Sequence, residues 1–205
     1  MSECCGCGKV IDVAAMQAAQ RRVLTIVLAI NLATFVMMVG AAWYSQSSSL
    51  LSGGLDNLGD ALTYALSLAV VGASTRAKAR VSLFKGGLIL GAAMAVGVQI
   101  VWRLGNPTIP MFDSMGLAAL LNLGANLVCL RLLAPYREGD INLASAWECA
   151  RNDIFEGFAV LAAAGLVWIF GAGWPDLLIA IALLVMFLRS AGRVFNASLR
   201  ELRAV

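Results

Sequence analysis

The chain has 205 residues, of which 60% are hydrophobic and 13% are charged, with a mean hydropathy of +0.84 and a formal net charge of +3. Soluble domains are about 45–50% apolar, so this composition excludes an ordinary soluble domain and favours a protein with several membrane spans. The positive charge does not indicate a nucleic-acid partner, because the basic residues lie at the ends of apolar segments, where they set membrane orientation.

The N-terminal segment, residues 1–20, is polar and contains Cys4, Cys5 and Cys7. It has no apolar core followed by a cleavage site, so it does not resemble a signal peptide. The three cysteines are too closely spaced for an ordinary disulfide framework, and reduced thiols are expected on the cytoplasmic side. The cluster is either a weak capture site for soft metal ions or an incidental feature of a disordered tail.

Six apolar segments of about 20 residues follow, the length that a bilayer requires. Turn-forming residues separate them, including Gly105-Asn106-Pro107 and the stretch from Gly171 to Pro175. The sequence therefore predicts an all-α membrane protein with six transmembrane helices. The predicted spans are 22–43, 50–73, 82–103, 112–133, 144–170 and 174–197.

The distribution of Lys and Arg predicts the orientation of these spans. Basic residues precede the first span, follow the second, fourth and sixth spans, and are almost absent from the other side, where Arg103 stands alone. Because cytoplasmic loops carry the excess of Lys and Arg, both termini are predicted to be cytoplasmic. We expect a cytoplasmic tail over 1–20, a transport domain over 21–197 and a short cytoplasmic tail over 198–205, in a bacterial inner membrane.

Two acidic residues, Asp56 and Asp60, lie within the second apolar segment. An ionised carboxylate in the middle of a membrane costs roughly 2.5–3.5 kcal/mol even on lenient insertion scales, so it is seldom there without a function. Residues four apart share one face of a helix. The alternative is that both residues cap a shorter helix or lie at its interface with water.

The fifth segment carries Cys149 and Asp153 at the same spacing of four residues. Facing the second segment, this pair would complete a set of three carboxylates and one thiolate, which suits a divalent metal ion. Two alternatives stand beside that interpretation. Arg151 could form a salt bridge with Glu148 or Asp153, and Cys149 could simply pack in the core.

Four anionic ligands leave a site negative around one dication, and without metal they repel one another. Protons should therefore bind when the metal leaves, and metal entry should expel them. This competition is the thermodynamic basis for exchange of metal against protons. One thiolate shifts the preference from Mn²⁺ or Mg²⁺ toward Zn²⁺, with Cd²⁺ and Co²⁺ as further candidates.

Other polar residues lie close to these four. Glu156 follows Asp153 by three residues and shares its stripe, which suggests an alternative ligand, a proton relay or a base behind the ligands. Asn57 and Asn152 adjoin ligands and could orient them. In the fourth segment Asn122 and Asn126, again four apart, are expected to form hydrogen bonds between helices rather than to contact an ion.

The second segment, "SSSLLSGGLDNLGDALTYALSL", and the fifth, "CARNDIFEGFAVLAAAGLVW", resemble the corresponding spans of the cation diffusion facilitator family. That resemblance implies a six-span, usually dimeric exporter of Zn²⁺ and related dications that is coupled to protons. It places the transport ligands, by position, on Asp56 and Asp60 of the second span and on Cys149 and Asp153 of the fifth.

Two departures from the family pattern bear on function. The family commonly has histidine at the position of Cys149, whereas this chain has no histidine at all. Most members also carry a cytoplasmic C-terminal domain that helps them dimerise and sense metal. Such a domain does not follow the sixth span in this sequence, so a homodimer is expected to form through the membrane helices.

The sequence thus predicts an exporter of divalent metal ions, Zn²⁺ first, by proton antiport. Membrane lipids and divalent ions are the expected partners, with no cofactor and no enzymatic activity. Two other functions remain open. One is a membrane sensor or scaffold that binds metal without moving it. The other is a proton-coupled exporter of organic cations, which would call for an aromatic pocket, yet only Tyr64 and Phe155 lie near the acids.

Overall fold

The computed structural model describes residues 18–69, 75–137 and 141–203. All the regular structure in these ranges is helical, which confirms the predicted all-α membrane fold with six helices. A short 3₁₀ turn, Ala134–Tyr136, follows the fourth helix. The six helices are α1 (Ala18–Ser45), α2 (Ser48–Ala69), α3 (Thr75–Gly105), α4 (Phe112–Leu133), α5 (Ile141–Phe170) and α6 (Trp174–Arg203).

The outer surface of the bundle is apolar, as lipid contact requires. Leu117, Leu120 and Leu121 of α4 are exposed, and so are Val98 and Val101 of α3. Such a surface would be an aggregation hazard in water, but in a bilayer it is matched by the lipid tails. The chain is a multi-pass integral membrane protein.

Within the described residues, three helical stretches are long and apolar enough to cross a bilayer by composition alone: Ala19–Ser45, Phe112–Tyr136 and Cys149–Phe170. A shorter apolar stretch covers Ala93–Gly105 of α3. Serine, glycine and aspartate lower the hydropathy of α2, although it lies in the middle of the bundle. Its polar residues therefore face other helices and not lipid.

Helix α2 is the centre of the arrangement, because it contacts each of the other five helices. Helices α1, α2, α4 and α5 form one group, in which α4 packs against both α1 and α5. Helices α3 and α6 pack against each other and flank this group, with α6 contacting both α2 and α5. The two helices with the predicted ligands thus meet inside the protein.

Glycines let the neighbouring helices approach α2 and α5 closely. A Cβ atom on Gly54 would lie 3.1 Å from Cβ of Met38 on α1, and one on Gly157 would lie 3.1 Å from Cδ1 of Leu123 on α4. Small residues at such contacts are typical of packed membrane helices, where close backbone approach replaces a hydrophobic driving force.

A second polar cluster ties α2 to α6 at the end of the bundle where both helices begin. Asp176, in the first turn of α6, is fully buried and accepts hydrogen bonds from Ser47 Oγ at 2.6 Å, from the Ser48 amide at 2.7 Å and from the Ser49 amide at 3.0 Å. Ser47 Oγ also accepts from the Leu50 amide at 3.1 Å. Together Ser47, Ser48, Ser49 and Asp176 form what we call the serine clamp.

The first amides of any helix have no hydrogen-bond partner within the helix. The serine clamp provides partners for those at the start of α2. A carboxylate is also favoured at a helix N-terminus by the helix dipole. Here the carboxylate comes from a different helix, so the capping interaction also fixes where α2 stands against α6. Arg103 is buried near the same end and is attracted electrostatically by Asp176.

Candidate metal site

Three carboxyl groups meet between α2 and α5 in the middle of the bundle. The carboxyl of Asp56 forms side-chain hydrogen bonds with those of Asp153 and Glu156. Asp153 is buried, with 6% of its surface exposed, while Asp56 and Glu156 are half-buried. A hydrogen bond between two carboxyl groups requires a proton on one of them, so the contact is favourable only when the group carries at least one proton.

These carboxyls line a small cavity of about 10 Å³. That is close to the minimum volume that holds one water molecule. Side chains with oxygen atoms make up most of the cavity lining, and Met38, two glycines and Val160 make up the rest. The lining residues are Met38, Gly53, Asp56, Asn57, Asn122, Asn126, Asp153, Glu156, Gly157 and Val160.

Two asparagines of α4 face this cavity but differ in their bonding. Asn122 Oδ1 accepts a hydrogen bond of 2.8 Å from Asn57 Nδ2 on α2, which confirms the expected link between helices for that residue. Asn126 lies one turn further along α4 and is 1% exposed, and its Oδ1 has no hydrogen-bond partner within the described ranges. An unsatisfied buried oxygen is costly, so the Asn126 amide needs an explanation beyond packing.

Asp60 lies one helical turn beyond Asp56 on α2, away from the serine clamp. It is buried but does not line the cavity, and Tyr64 Oη donates a long hydrogen bond of 3.5 Å to its Oδ2. Asp56 and Asp60 lie eight and twelve residues after Ser48, the first residue of α2, so neither caps the helix.

Cys149 lies one turn from Asp153 on α5 and is buried, but it also lies outside the cavity lining. In the structure its sulfur is part of a disulfide. A metal ligand must be a thiolate, so the predicted role of Cys149 applies to the reduced protein. Cys129 of α4 is a free, buried cysteine.

The alternative salt bridge between Arg151 and Asp153 is not what the structure has. Arg151 is exposed, and its guanidinium carbon lies 5.4 Å from the centroid of the Trp147 ring. Asn152 is half-buried and does not line the cavity. The side chain of Glu148 and the cluster of Cys4, Cys5 and Cys7 lie outside the described residues.

Within the described ranges, no three Cys, Asp or Glu side chains already stand in the geometry of a metal site. An ion entering the cavity would have to draw Asp56 and Asp153 toward itself and displace the hydrogen bond between them. Since a bond between two carboxyls requires a proton, ion entry would be linked to proton loss.

Asn126 and the serine clamp are the two features that the sequence did not reveal. The spacing of Asn122 and Asn126 signalled a polar stripe on α4, but nothing in it separated the bonded amide from the unbonded one. For Asp176 the signal was its place just after Trp174-Pro175, typical of a first helical turn. That signal does not show which helix the carboxyl caps.

Comparison with known proteins agrees with this architecture. The family model described as "Cation efflux transmembrane domain" matches residues 24–203. The metal cation efflux system protein CzcD of Cupriavidus metallidurans and the cation efflux system protein CzcD of Alcaligenes sp. are each 24% identical to the chain over 195 residues. Each match covers 88% of this chain and 61% of the relative, so the chain spans about three fifths of the length of these proteins.

Proposed function

Because the chain belongs to the cation diffusion facilitator family, we propose that it moves divalent metal ions, Zn²⁺ first, out of the cytoplasm in exchange for protons. The observation that carries the proposal is the group of carboxyls between α2 and α5, in which Asp56 has the carboxyls of Asp153 and Glu156 as its side-chain partners within the described ranges. Buried acids without a structural counter-charge are rare in membranes and mark ion pathways.

Asp56, Asp60, Cys149 and Asp153 are the ligands of this proposal. Asp56 and Asp153 already approach each other, and Asp60 and Cys149 follow one turn along their helices on the same side. A set of one sulfur and three oxygens suits Zn²⁺, Cd²⁺ and Co²⁺. The CzcD protein of Cupriavidus metallidurans, to which the chain is similar, is named for metal cation efflux, which supports the same class of substrate.

Proton exchange follows from the carboxyl–carboxyl hydrogen bonds. When an ion binds, the shared protons must leave, and when protons return, the ligands are no longer available to the ion. An antiporter requires one site that holds either the metal ion or protons, but not both at once. Acidification on the receiving side then favours release of the metal, and acidification of the cytoplasm opposes its uptake.

The size of the cavity argues against an organic cation as substrate. Drug-sized molecules occupy sites of roughly 300–1,000 Å³, far more than the cavity of about 10 Å³ between α2 and α5. Phe155 is 67% exposed on the outer surface, and Tyr64 points to Asp60 and does not line the cavity. A compact dication is the better match.

We propose a homodimer that forms through exposed apolar helix faces, in a bacterial inner membrane with both termini in the cytoplasm. Metal ions and lipids are then the partners, and no covalent chemistry is required, in keeping with a family of transporters.

The proposal is tested by Zn²⁺ flux into sealed proteoliposomes, with lumenal pH recorded in parallel, for the native chain and for Asp153→Ala. We expect zinc entry with proton exit, and loss of both in the variant. Zinc binding without flux in the native protein would favour a sensor or scaffold and overturn the transport proposal.

A further inference from the structure

We propose that Asn126 and Glu156 are themselves ligands of the transported ion. With Asp56 they form an oxygen-only tier that lines the cavity, next to the tier of Asp60 and Cys149, and Asp153 is shared by both tiers. This inference rests on the proposed transport of metal ions, and it extends the ligand set beyond the two pairs spaced by four residues.

The first observation is the contrast between the two amides of α4. Asn122 and Asn126 line the same cavity and are both buried, but only the oxygen of Asn122 has a partner, Asn57. The Asn126 oxygen has none within the described ranges. Burying a polar atom without a partner costs free energy, and a bound ion that contacts the Asn126 oxygen would supply the missing interaction.

The second observation is the position of Glu156. It lies three residues after Asp153, on the same face of α5, and its carboxyl forms a hydrogen bond with that of Asp56 across the interface with α2. A side chain that reaches Asp56 also reaches an ion held by Asp56. Gly157 keeps α5 close to α4, which brings Glu156 and Asn126 to the same cavity.

The chemistry of the two tiers differs. Carboxylate and amide oxygens suit Mn²⁺, whereas a thiolate shifts affinity toward Zn²⁺, Cd²⁺ and Co²⁺. The oxygen-only tier should therefore matter most for Mn²⁺ and least for Cd²⁺. Because Asp56 and Glu156 lie nearer the clamp end than Asp60 and Cys149, an ion that passes between tiers advances along the bundle axis.

The experiment measures binding of Co²⁺, Mn²⁺ and Cd²⁺ to the full chain in nanodiscs, with Cys149 kept reduced by a phosphine. Titration calorimetry gives the affinities, and the visible absorption of bound Co²⁺ reports its ligand set. The variants are Asn126→Leu and Glu156→Gln, with Asn126→Asp retaining an oxygen and Asn122→Leu as the matched control. Thermal unfolding is recorded for each.

We expect Asn126→Leu and Glu156→Gln to lower the affinity for Mn²⁺ and Co²⁺ by roughly tenfold or more, which is a typical loss at metal sites. The Co²⁺ spectrum should change, Cd²⁺ binding should change least, and Asn126→Asp should retain binding. Removing the unbonded oxygen should leave the melting temperature unchanged or raised, whereas Asn122→Leu should lower it because Asn57 loses its partner.

Native affinities and an unchanged Co²⁺ spectrum in both Asn126→Leu and Glu156→Gln would overturn the inference while leaving metal transport intact. Native protein that binds these ions through the oxygen tier but shows no flux would instead refute transport alone. Native protein that binds none of them would refute both. If Asn126→Leu does not fold, the nearly isosteric Glu156→Gln decides.

Discussion

At the clamp end of the bundle, Asp176 is fully buried and accepts three hydrogen bonds from the start of α2. In the middle of the bundle, within the part of the chain that the structure describes, the side-chain partners of Asp56 are the carboxyls of Asp153 and Glu156. Both regions bury acids against α2, yet the first provides donors for its carboxyl and the second provides further acceptors. A region with more acceptors than donors is complete only when a cation or protons enter.

The difference separates two uses of a buried carboxyl that sequence alone does not separate. A carboxyl that receives backbone amides stabilises a fold, because it satisfies donors that would otherwise be buried without partners. Carboxyls that meet other carboxyls do the opposite and lower stability until an ion binds. We therefore expect substitutions in the two regions to have opposite signatures in stability and in metal handling.

The largest effect is expected for Asp60→Ala. Loss of this carboxylate should abolish Zn²⁺ flux, while the folded protein remains as stable as the native one or becomes more so, because one buried acid has been removed. Flux in proteoliposomes and thermal unfolding in detergent measure the two properties. Native flux from this variant would remove Asp60 from the site.

Cys149→His, made in a reducing buffer, should sharpen the assignment of ligands within the acidic region. Imidazole binds Zn²⁺ well, whereas Cd²⁺ favours the thiolate that is lost. We expect Zn²⁺ transport to persist and the rate for Cd²⁺ relative to Zn²⁺ to fall in a competition assay. An unchanged ratio would mean that the thiol does not contact the ion.

Ser47→Ala probes the serine clamp and should leave metal binding alone. The hydroxyl of Ser47 donates to Asp176 and accepts from the Leu50 amide, so its loss should destabilise the protein by about 1 kcal/mol, the usual cost of removing such a cap. Chemical unfolding gives this value, and Zn²⁺ calorimetry serves as the control. A weakened zinc affinity at native stability would contradict the separation of the two regions.

Deletion of residues 1–8 should have the smallest effect. These residues include Cys4, Cys5 and Cys7, and a weak capture site adds little when zinc is supplied in excess. We expect at most a modest fall in flux at saturating Zn²⁺. Complete loss of flux would make the cysteine cluster part of the transport pathway.

The sequence predicted most of the fold because the bilayer imposes simple rules on length and hydropathy. The six helices overlap the six predicted spans, and α4, Phe112–Leu133, coincides with 112–133. The observed ends differ from the predicted ones where helices extend beyond the apolar core: α3 starts at Thr75 and α6 reaches Arg203, beyond the predicted 82 and 197. Charged residues can continue a helix outside the hydrocarbon, where hydropathy no longer marks its end.

The candidate site was predicted only in part. Spacing by four residues predicts that Asp56 and Asp60 share one face of α2 and that Cys149 and Asp153 share one face of α5, since helical periodicity is a local property. Which of these side chains meet depends on how α2 and α5 are placed against each other. That placement brings Glu156 to Asp56 and leaves the Asn126 oxygen without a partner, and neither fact follows from a local pattern.

The most direct test of this account compares Asp153→Asn with Asp176→Asn in the same preparation, by Zn²⁺ calorimetry and thermal unfolding. Both changes remove one buried charge and nearly preserve shape. The account predicts that Asp153→Asn loses zinc binding and keeps its melting temperature, whereas Asp176→Asn keeps zinc binding and melts at a lower temperature. Zinc binding retained by Asp153→Asn, or lost only in Asp176→Asn, would contradict the assignment of the metal site to the cavity between α2 and α5.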